Sequence, residues 1–229
     1  NYGEIPSKNN VIGLVIYLID KCNFRIGNDK YKKLYNSYGV TTLNKNHLDF
    51  RNNCINIKFR GKKGVDNMSK VTNTQCMNML HKLAHIYGNK EYIFCYQDND
   101  KNCFRVTEKH INDFLKKYHK YISVKMFRTW AANQMLLKEL LSYPIPETNN
   151  EAKRNIISSI KKSASEMHHT SNVSKKSYMN NELIDMYLKD FSRFYRYMHG
   201  FKKANNQLPT IDRLLNLYLQ KIVQEKINK

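Results

Sequence analysis

The sequence predicts a mainly helical α+β domain with one small three-stranded antiparallel sheet. Three observations carry this reading. Apolar residues recur at three- and four-residue spacing over most of the chain, the period of a helix packed on one face. One stretch, Cys54-Ile55-Asn56-Ile57-Lys58-Phe59, instead alternates apolar and polar, as a half-buried strand does. Turn residues bracket it, with Arg51-Asn52-Asn53 before and Gly61-Lys62-Lys63-Gly64 after, so a sheet is placed within residues 40–71.

Taken in order, residues 9–22 read as a helix through Val11, Leu14, Val15 and Leu18, and a short helix follows at Asp29 to Tyr35. After the sheet the remainder reads as helical. Thr72 to Tyr87 carries Met77, Leu80, Leu83 and Ala84 on one face. Thr107 is an N-cap for a helix with Ile111, Phe114, Leu115 and Tyr118 inward. Phe127 to Leu141 follows, ended by Pro144 and Pro146. Then come Ala152 to Met167, a partly helical Ser174 to Met198, and a last helix capped by Thr210. Its stripe is Ile211, Leu214, Leu215, Tyr218, Leu219, Ile222 and Val223. Asn205-Asn206-Gln207 is the most linker-like point after residue 150. Trp130 and the aromatics of Phe191 to Tyr197 read as core.

The chain has 229 residues, enough for one large domain or a domain with a small appendage. With 39 Lys and Arg against 19 Asp and Glu, its net charge is +20, spread along the chain, and a folded domain this basic meets a polyanion. No apolar run reaches the ~18 residues of a membrane span, so no membrane is expected as a partner. There is no signal peptide, and the chain begins with Asn, as a segment of a longer protein would. Five scattered cysteines without a CxxC pair argue for reduced thiols in an intracellular setting and against a zinc site. His81 and His85 share a helical face, but no Glu stands in the metalloprotease position between them.

The richest stretch runs from His168-His169-Thr170 through Ser174-Lys175-Lys176-Ser177 to Tyr178, with His169 nine positions before the tyrosine. Upstream lie Arg25-Ile26-Gly27-Asn28 followed by Tyr31, then Tyr38-Gly39-Val40-Thr41-Thr42-Leu43. Next come Phe59-Arg60-Gly61-Lys62-Lys63-Gly64, and Lys125-Met126-Phe127-Arg128-Thr129-Trp130 with Asn133 beyond. Five such segments in this order resemble the type IB DNA topoisomerases, closest to the poxvirus and giant-virus type, over about residues 10 to 190.

The resemblance implies the type IB topoisomerase and tyrosine recombinase catalytic-domain fold over residues 1–229, without the family's N-terminal DNA-clamp domain. It implies duplex DNA as the partner, a monomer, no cofactor and no metal. A viral source would put the protein in the virion or in the host nucleus or cytoplasm. It implies ATP-independent relaxation of supercoiled DNA by transient single-strand cleavage and religation. Tyr178 would be the nucleophile, Arg25 and Arg128 would hold the non-bridging phosphate oxygens, His169 would bond one of them, and Lys62 would protonate the leaving 5′-oxygen. The chemistry is coherent. A guanidinium is planar, always charged and able to bond two oxygens at once. An alkoxide is a poor leaving group and gains from a positioned acid. Cations of this kind supply the charge stabilisation a metal otherwise gives. Tyr31, Lys125, Asn133, Lys175 and Lys176 would contact DNA.

Several assignments stay open on sequence. Lys63 competes with Lys62, and the family pattern after Gly61 favours Lys62. His168 competes with His169, and the nine-residue spacing favours His169. Tyr31 is either a DNA contact or a buried tyrosine, and Lys125 is either part of the site or a phosphate contact alone. A tyrosine recombinase shares this chemistry, although recombinases usually carry His-x-x-Arg where this chain has Lys125-x-x-Arg128. A non-catalytic DNA-binding domain fits the charge equally well but leaves five ordered motifs unexplained.

Overall fold

The computed structural model describes residues 5–168, 170–203 and 210–227. The linker-like Asn205-Asn206-Gln207 and His169 lie outside the described residues. The chain divides into two compact units, Asn1–Arg128 and Thr129–Lys229.

In the first unit, α1 (Lys8–Cys22) starts at Ser7, whose side chain accepts from the Asn10 amide. It buries Val11, Leu14, Val15, Leu18 and Ile19, the spacing that predicted it. A short α2 (Asp29–Tyr35) is capped by Asn28, and no residue of α2 is buried. Two 3-10 turns, Val40–Thr42 and Lys45–His47, lead into the sheet β1 (Leu48–Arg51), β2 (Cys54–Arg60) and β3 (Asp66–Val71). Both pairings are antiparallel, with Ile57 opposite Leu48 on one side and Ser69 on the other. The alternation holds where it was read: Ile55, Ile57 and Phe59 are buried. The sheet thus occupies residues 48–71, and residues 40–47 form turns instead.

After α3 (Thr74–Tyr87), the structure adds what the pattern missed, a hairpin of β4 (Cys95–Gln97) and β5 (Cys103–Arg105). Strands of three residues are too short to show a period. Thr107 then precedes α4 (Glu108–Lys116), where Ile111 and Leu115 are buried as expected. Tyr118 corrects the expectation: α4 ends at Lys116, and the ring is 74% exposed. The core of this unit gathers α1, β2, α3 and the strands around Phe24, Phe94 and Val106.

The boundary between the units falls within α5 (Val124–Leu140). The second unit continues with α6 (Asn149–Glu166), α7 (Ser171–Ser177), α8 (Asn181–Lys189), α9 (Phe191–Lys203) and α10 (Ile211–Ile227). Its core joins Leu136, Leu137 and Leu140 to Ile156, Leu183, Phe194, Leu214 and Tyr218. Aromatic rings meet edge to face there, with Tyr187 and Phe194 at 5.1 Å between centroids. Trp130 is only partly buried against this core. Val223, read as part of the inner stripe of α10, is 54% exposed.

Phe24, immediately before Arg25, is fully buried and meets the Phe59 ring edge-on at 4.8 Å. Phe24→Ala should lower unfolding free energy by about 3–5 kcal/mol through lost burial and an unfilled cavity. Urea unfolding of the variant measures this, and a loss under ~1 kcal/mol would show that the site collapses around the gap.

Candidate active site

Arg25 sits in a loop whose path is set by backbone bonds. The Val40 amide donates to the Arg25 carbonyl at 2.8 Å, and the Thr41 amide donates to Ile26 at 2.7 Å. The Thr41 hydroxyl adds a second donor to the Ile26 carbonyl at 2.8 Å. The approach is close enough to demand glycine. A Cβ on Gly39 would stand 2.4 Å from the Gly27 nitrogen, and Gly27 itself has φ of +96°. One residue earlier, the Tyr38 amide donates to the Arg60 carbonyl at 2.8 Å. Residues 38–41 therefore tie the arginine loop on one side to the lysine-bearing hairpin on the other.

At the tip of that hairpin the Gly61 amide donates to the Val65 carbonyl at 2.8 Å, and the buried Asn67 side chain donates to the same carbonyl at 2.9 Å. A Cβ on Gly61 would meet the Asn67 amide nitrogen at 2.2 Å, so any larger residue here would displace the Asn67 side chain from the hairpin. Lys63 takes up the left-handed conformation, with φ of 63°. Lys62 is exposed, and its ammonium lies 5.4 Å from the centre of the Tyr31 ring.

Arg25, Lys62 and Tyr31 line one cleft of about 180 Å³, together with Gly27, Asn28 and Tyr38. Lys63 lines a neighbouring cleft of about 420 Å³ with Arg60, Tyr35 and Lys62. Tyr31 is 44% exposed, so the buried-tyrosine reading does not hold for it.

With no buried residue, α2 is held by polar contacts. Arg105 grips the Asp29 carboxylate with both terminal nitrogens, and the Tyr92 hydroxyl donates to it at 2.7 Å. The Arg105 guanidinium also stacks 4.5 Å over the Tyr92 ring. Lys32 pairs with Glu91 and lies 4.3 Å over the same ring. The Arg105 bond is the main reason that the Asp29 carboxyl is held below its ordinary range; burial opposes it, and the Tyr92 bond reinforces it. Burial first, and then the bond to Asp29, push the Tyr92 hydroxyl up. This cluster fastens the Tyr31 helix to β5 and to the segment that precedes β4. Sequence reasoning missed it; Asn28-Asp29 reads as a helix start, but nothing local points to Arg105.

On α5, Lys125 is exposed, while Arg128 is only 4% exposed, a rare placement for a guanidinium. In the second unit, Asn133, for which a DNA contact is expected, is bonded within the chain. It is 5% exposed, and its side chain spans the backbone on either side of residue 179. Its amide nitrogen donates to the Tyr178 carbonyl at 2.8 Å and to Thr129 at 2.7 Å, and its oxygen accepts from the Asn180 amide at 2.7 Å. Asn180 in turn caps α8, accepting from the Glu182 and Leu183 amides. Tyr178 therefore stands at the junction of α7 and α8, half-buried, beside the buried Met179. Lys175 and Lys176 are exposed on α7. His168 has φ of 53°, and His169 lies outside the described residues. Among the described residues no three His, Cys, Asp or Glu side chains gather as a metal cage, and no helix is long and apolar enough to cross a membrane.

The class that this fold defines is a mainly helical α+β protein with a small three-stranded antiparallel sheet. Residues 3–205 match the family described as eukaryotic DNA topoisomerase I, catalytic core, and the chain belongs to that family. It is similar to the DNA topoisomerase 1B of Acanthamoeba polyphaga mimivirus, 27% identical over 225 residues, 96% of this chain and 66% of that protein. It is also similar to the DNA topoisomerase 1B of Vaccinia virus (strain Copenhagen), 26% identical over 183 residues, 76% of this chain and 53% of that protein. The DNA topoisomerase 1 of Rabbit fibroma virus (strain Kasza) is 28% identical over 196 residues, 81% of this chain and 57% of that protein. The chain thus spans between about half and two thirds of the length of these relatives.

Two outcomes follow from this geometry. Asn133→Ala leaves the Asn180 amide and the Tyr178 carbonyl without their partner, which should cost about 1–3 kcal/mol of stability. Asn133→Asp keeps the acceptor for Asn180 but sets a carboxylate oxygen against the Tyr178 and Thr129 carbonyls, so urea unfolding should find both variants less stable than wild type. An Ala variant as stable as wild type would mean that the clamp contributes nothing.

The Asp29 contact predicts a pH dependence. Its carboxyl is held low in the fold, so the contribution is present above the unfolded value of ~3.9 and is lost as pH falls through the folded value. The stability gap between wild type and Asp29→Asn should be open at pH 6 and should close below pH ~4. A gap that stays constant down to pH 2.5 would contradict the assignment.

Proposed function

We propose that this chain is the DNA-cleaving catalytic core of a type IB topoisomerase, which relaxes supercoiled duplex DNA without ATP through a 3′-phosphotyrosyl intermediate. The observation that carries the reading is the single cleft shared by Arg25 and Lys62, whose walls are tied together through residues 38–41. Membership of the topoisomerase family supports it.

In this mechanism the Tyr178 hydroxyl oxygen attacks the scissile phosphorus and gives up its proton, and the bond to the 5′-oxygen breaks. Lys62 delivers a proton to that departing oxygen. Arg25, Arg128 and His169 neutralise the non-bridging oxygens as charge grows on them. The free 5′-hydroxyl end rotates about the intact strand. Religation then runs the same steps in reverse, with Lys62 taking the proton back. No high-energy cofactor is needed, because the phosphotyrosyl bond conserves the energy of the broken phosphodiester. Lys125, Lys175 and Lys176 hold neighbouring phosphates, with Tyr31 against the DNA near Lys62. Asn133 acts through the chain, by fixing the backbone that presents Tyr178.

Supercoiled plasmid incubated with the protein and a chelator tests the activity directly. Relaxation should proceed with wild type and be abolished by Tyr178→Phe, which removes only the nucleophilic oxygen. Persistent relaxation by the Phe variant would remove Tyr178 from this role.

The acid is tested by a substrate with sulfur in place of the bridging 5′-oxygen, because a thiolate leaves without help. Lys62→Ala should cleave ordinary DNA slower by a factor on the order of 10²–10⁴ and the sulfur-bridged strand nearly as fast as wild type. Arg128→Ala should not be rescued. If Lys63→Ala is the variant that is crippled and rescued, the acid is Lys63.

A further inference from the structure

Between α4 and α5 the chain makes a tight turn of unusual composition. Lys116, Lys117, Tyr118, His119, Lys120 and Tyr121 are six consecutive exposed residues, with no acidic and no aliphatic side chain among them. Tyr118 is 74% exposed and Tyr121 is 71% exposed. Rings so open to water forgo the burial that normally places a tyrosine, which makes them informative.

The backbone below them is well tied. The Tyr118 amide donates to Leu115 at 3.0 Å, the Ile122 amide donates to His119 at 3.1 Å, and the Val124 amide donates to the Asn112 side chain at 2.9 Å. Buried Ile111, Leu115 and Val124 anchor both flanks. The turn is therefore a fixed projection that holds its cations outward. Among the described residues none of its three lysines joins an ion pair, and the nearby Asp113 is taken by Lys109. The Lys120 ammonium lies 4.8 Å over the Tyr121 ring, and both residues are exposed.

We propose that this turn is an accessory binding site for the sugar–phosphate backbone of the duplex, beside the cleaved bond. Lysines and tyrosine hydroxyls are both phosphate donors, and neither needs base-specific geometry for that contact. The proposal rests on the reading of Arg128 as a ligand of the scissile phosphate. Three residue steps from Tyr121 to Val124, and one turn of α5 onward to Arg128, place Tyr121 within about 17 Å of Arg128 between Cα atoms. With ~6–7 Å of side chain at each end and ~3.4 Å per nucleotide along a strand, the contact falls within roughly one helical turn of the cleavage point.

The test is a binding measurement in the Tyr178→Phe background, which separates it from the chemistry. A Lys116→Ala, Lys117→Ala, Lys120→Ala triple is compared with a charge-matched triple of exposed lysines elsewhere, Lys90→Ala, Lys153→Ala, Lys161→Ala. Affinity for a duplex spanning a cleavage site is followed by fluorescence anisotropy across salt concentrations. Each phosphate contact contributes about −0.9 to the slope of log affinity against log salt, so the turn triple should flatten the slope by about two to three. The matched triple should change it by less than about one. An unchanged slope in the turn triple overturns the proposal, and so does an equal change in both triples, which would assign the effect to net charge. If instead wild-type protein forms no adduct at Tyr178, the catalytic reading fails while the slopes still report on the turn.

Discussion

The first unit depends on the near-contact of two backbones, that of Arg25 to Gly27 and that of Gly39 to Thr41. Their amide and carbonyl groups satisfy one another at 2.7–2.8 Å in a place where a side chain on residue 39 would meet the Gly27 nitrogen at 2.4 Å. Buried backbone groups must be paired, so this stretch has little freedom to drift. Because Tyr38 also bonds the strand that leads to Lys62, an arginine and a lysine from separate loops are set against one cleft by the same short segment. Preorganisation of this kind gives cationic groups their value in catalysis, since no reorganisation is needed as charge develops.

Around that fixed centre the structure uses a second kind of hold. The helix bearing Tyr31 buries none of its residues and is secured by Asp29, Arg105, Tyr92, Lys32 and Glu91. Polar contacts at the surface are individually weak and sensitive to salt, so this helix should yield before the arginine loop does. In the second unit the balance is reversed. Asn133 is buried and satisfies backbone groups on both sides of Met179, so the tyrosine is presented by a junction with little slack.

How much of this was legible in the sequence depends on distance along the chain. The helix at Val11 and the strand at Ile55 are legible, because a three- and four-residue period and a period of two are local signals. The motifs were legible for the same reason, being short and in order. The hairpin at Cys95 and Cys103 was not, because three residues per strand carry no period. The apolar pattern points Tyr118 inward because it continues past Lys116, where the helix stops. Asn133 looked like a DNA contact from its place after Arg128, yet its partners lie 45 and 47 residues on. Asp29 and Arg105 are 76 residues apart, and no spacing rule reaches so far.

In the proposed reaction one oxygen, that of Tyr178, becomes bonded to DNA. Protein and nicked or supercoiled duplex, mixed without metal and quenched with denaturant, should yield a covalent complex. Proteolysis and mass spectrometry then identify the attached residue, and end-labelling identifies the attached end. The expected product is the peptide containing Tyr178 on a 3′-phosphate, with a free 5′-hydroxyl on the other strand end. Attachment through another residue, attachment to a 5′-phosphate, or cleavage with no covalent complex at all would contradict it.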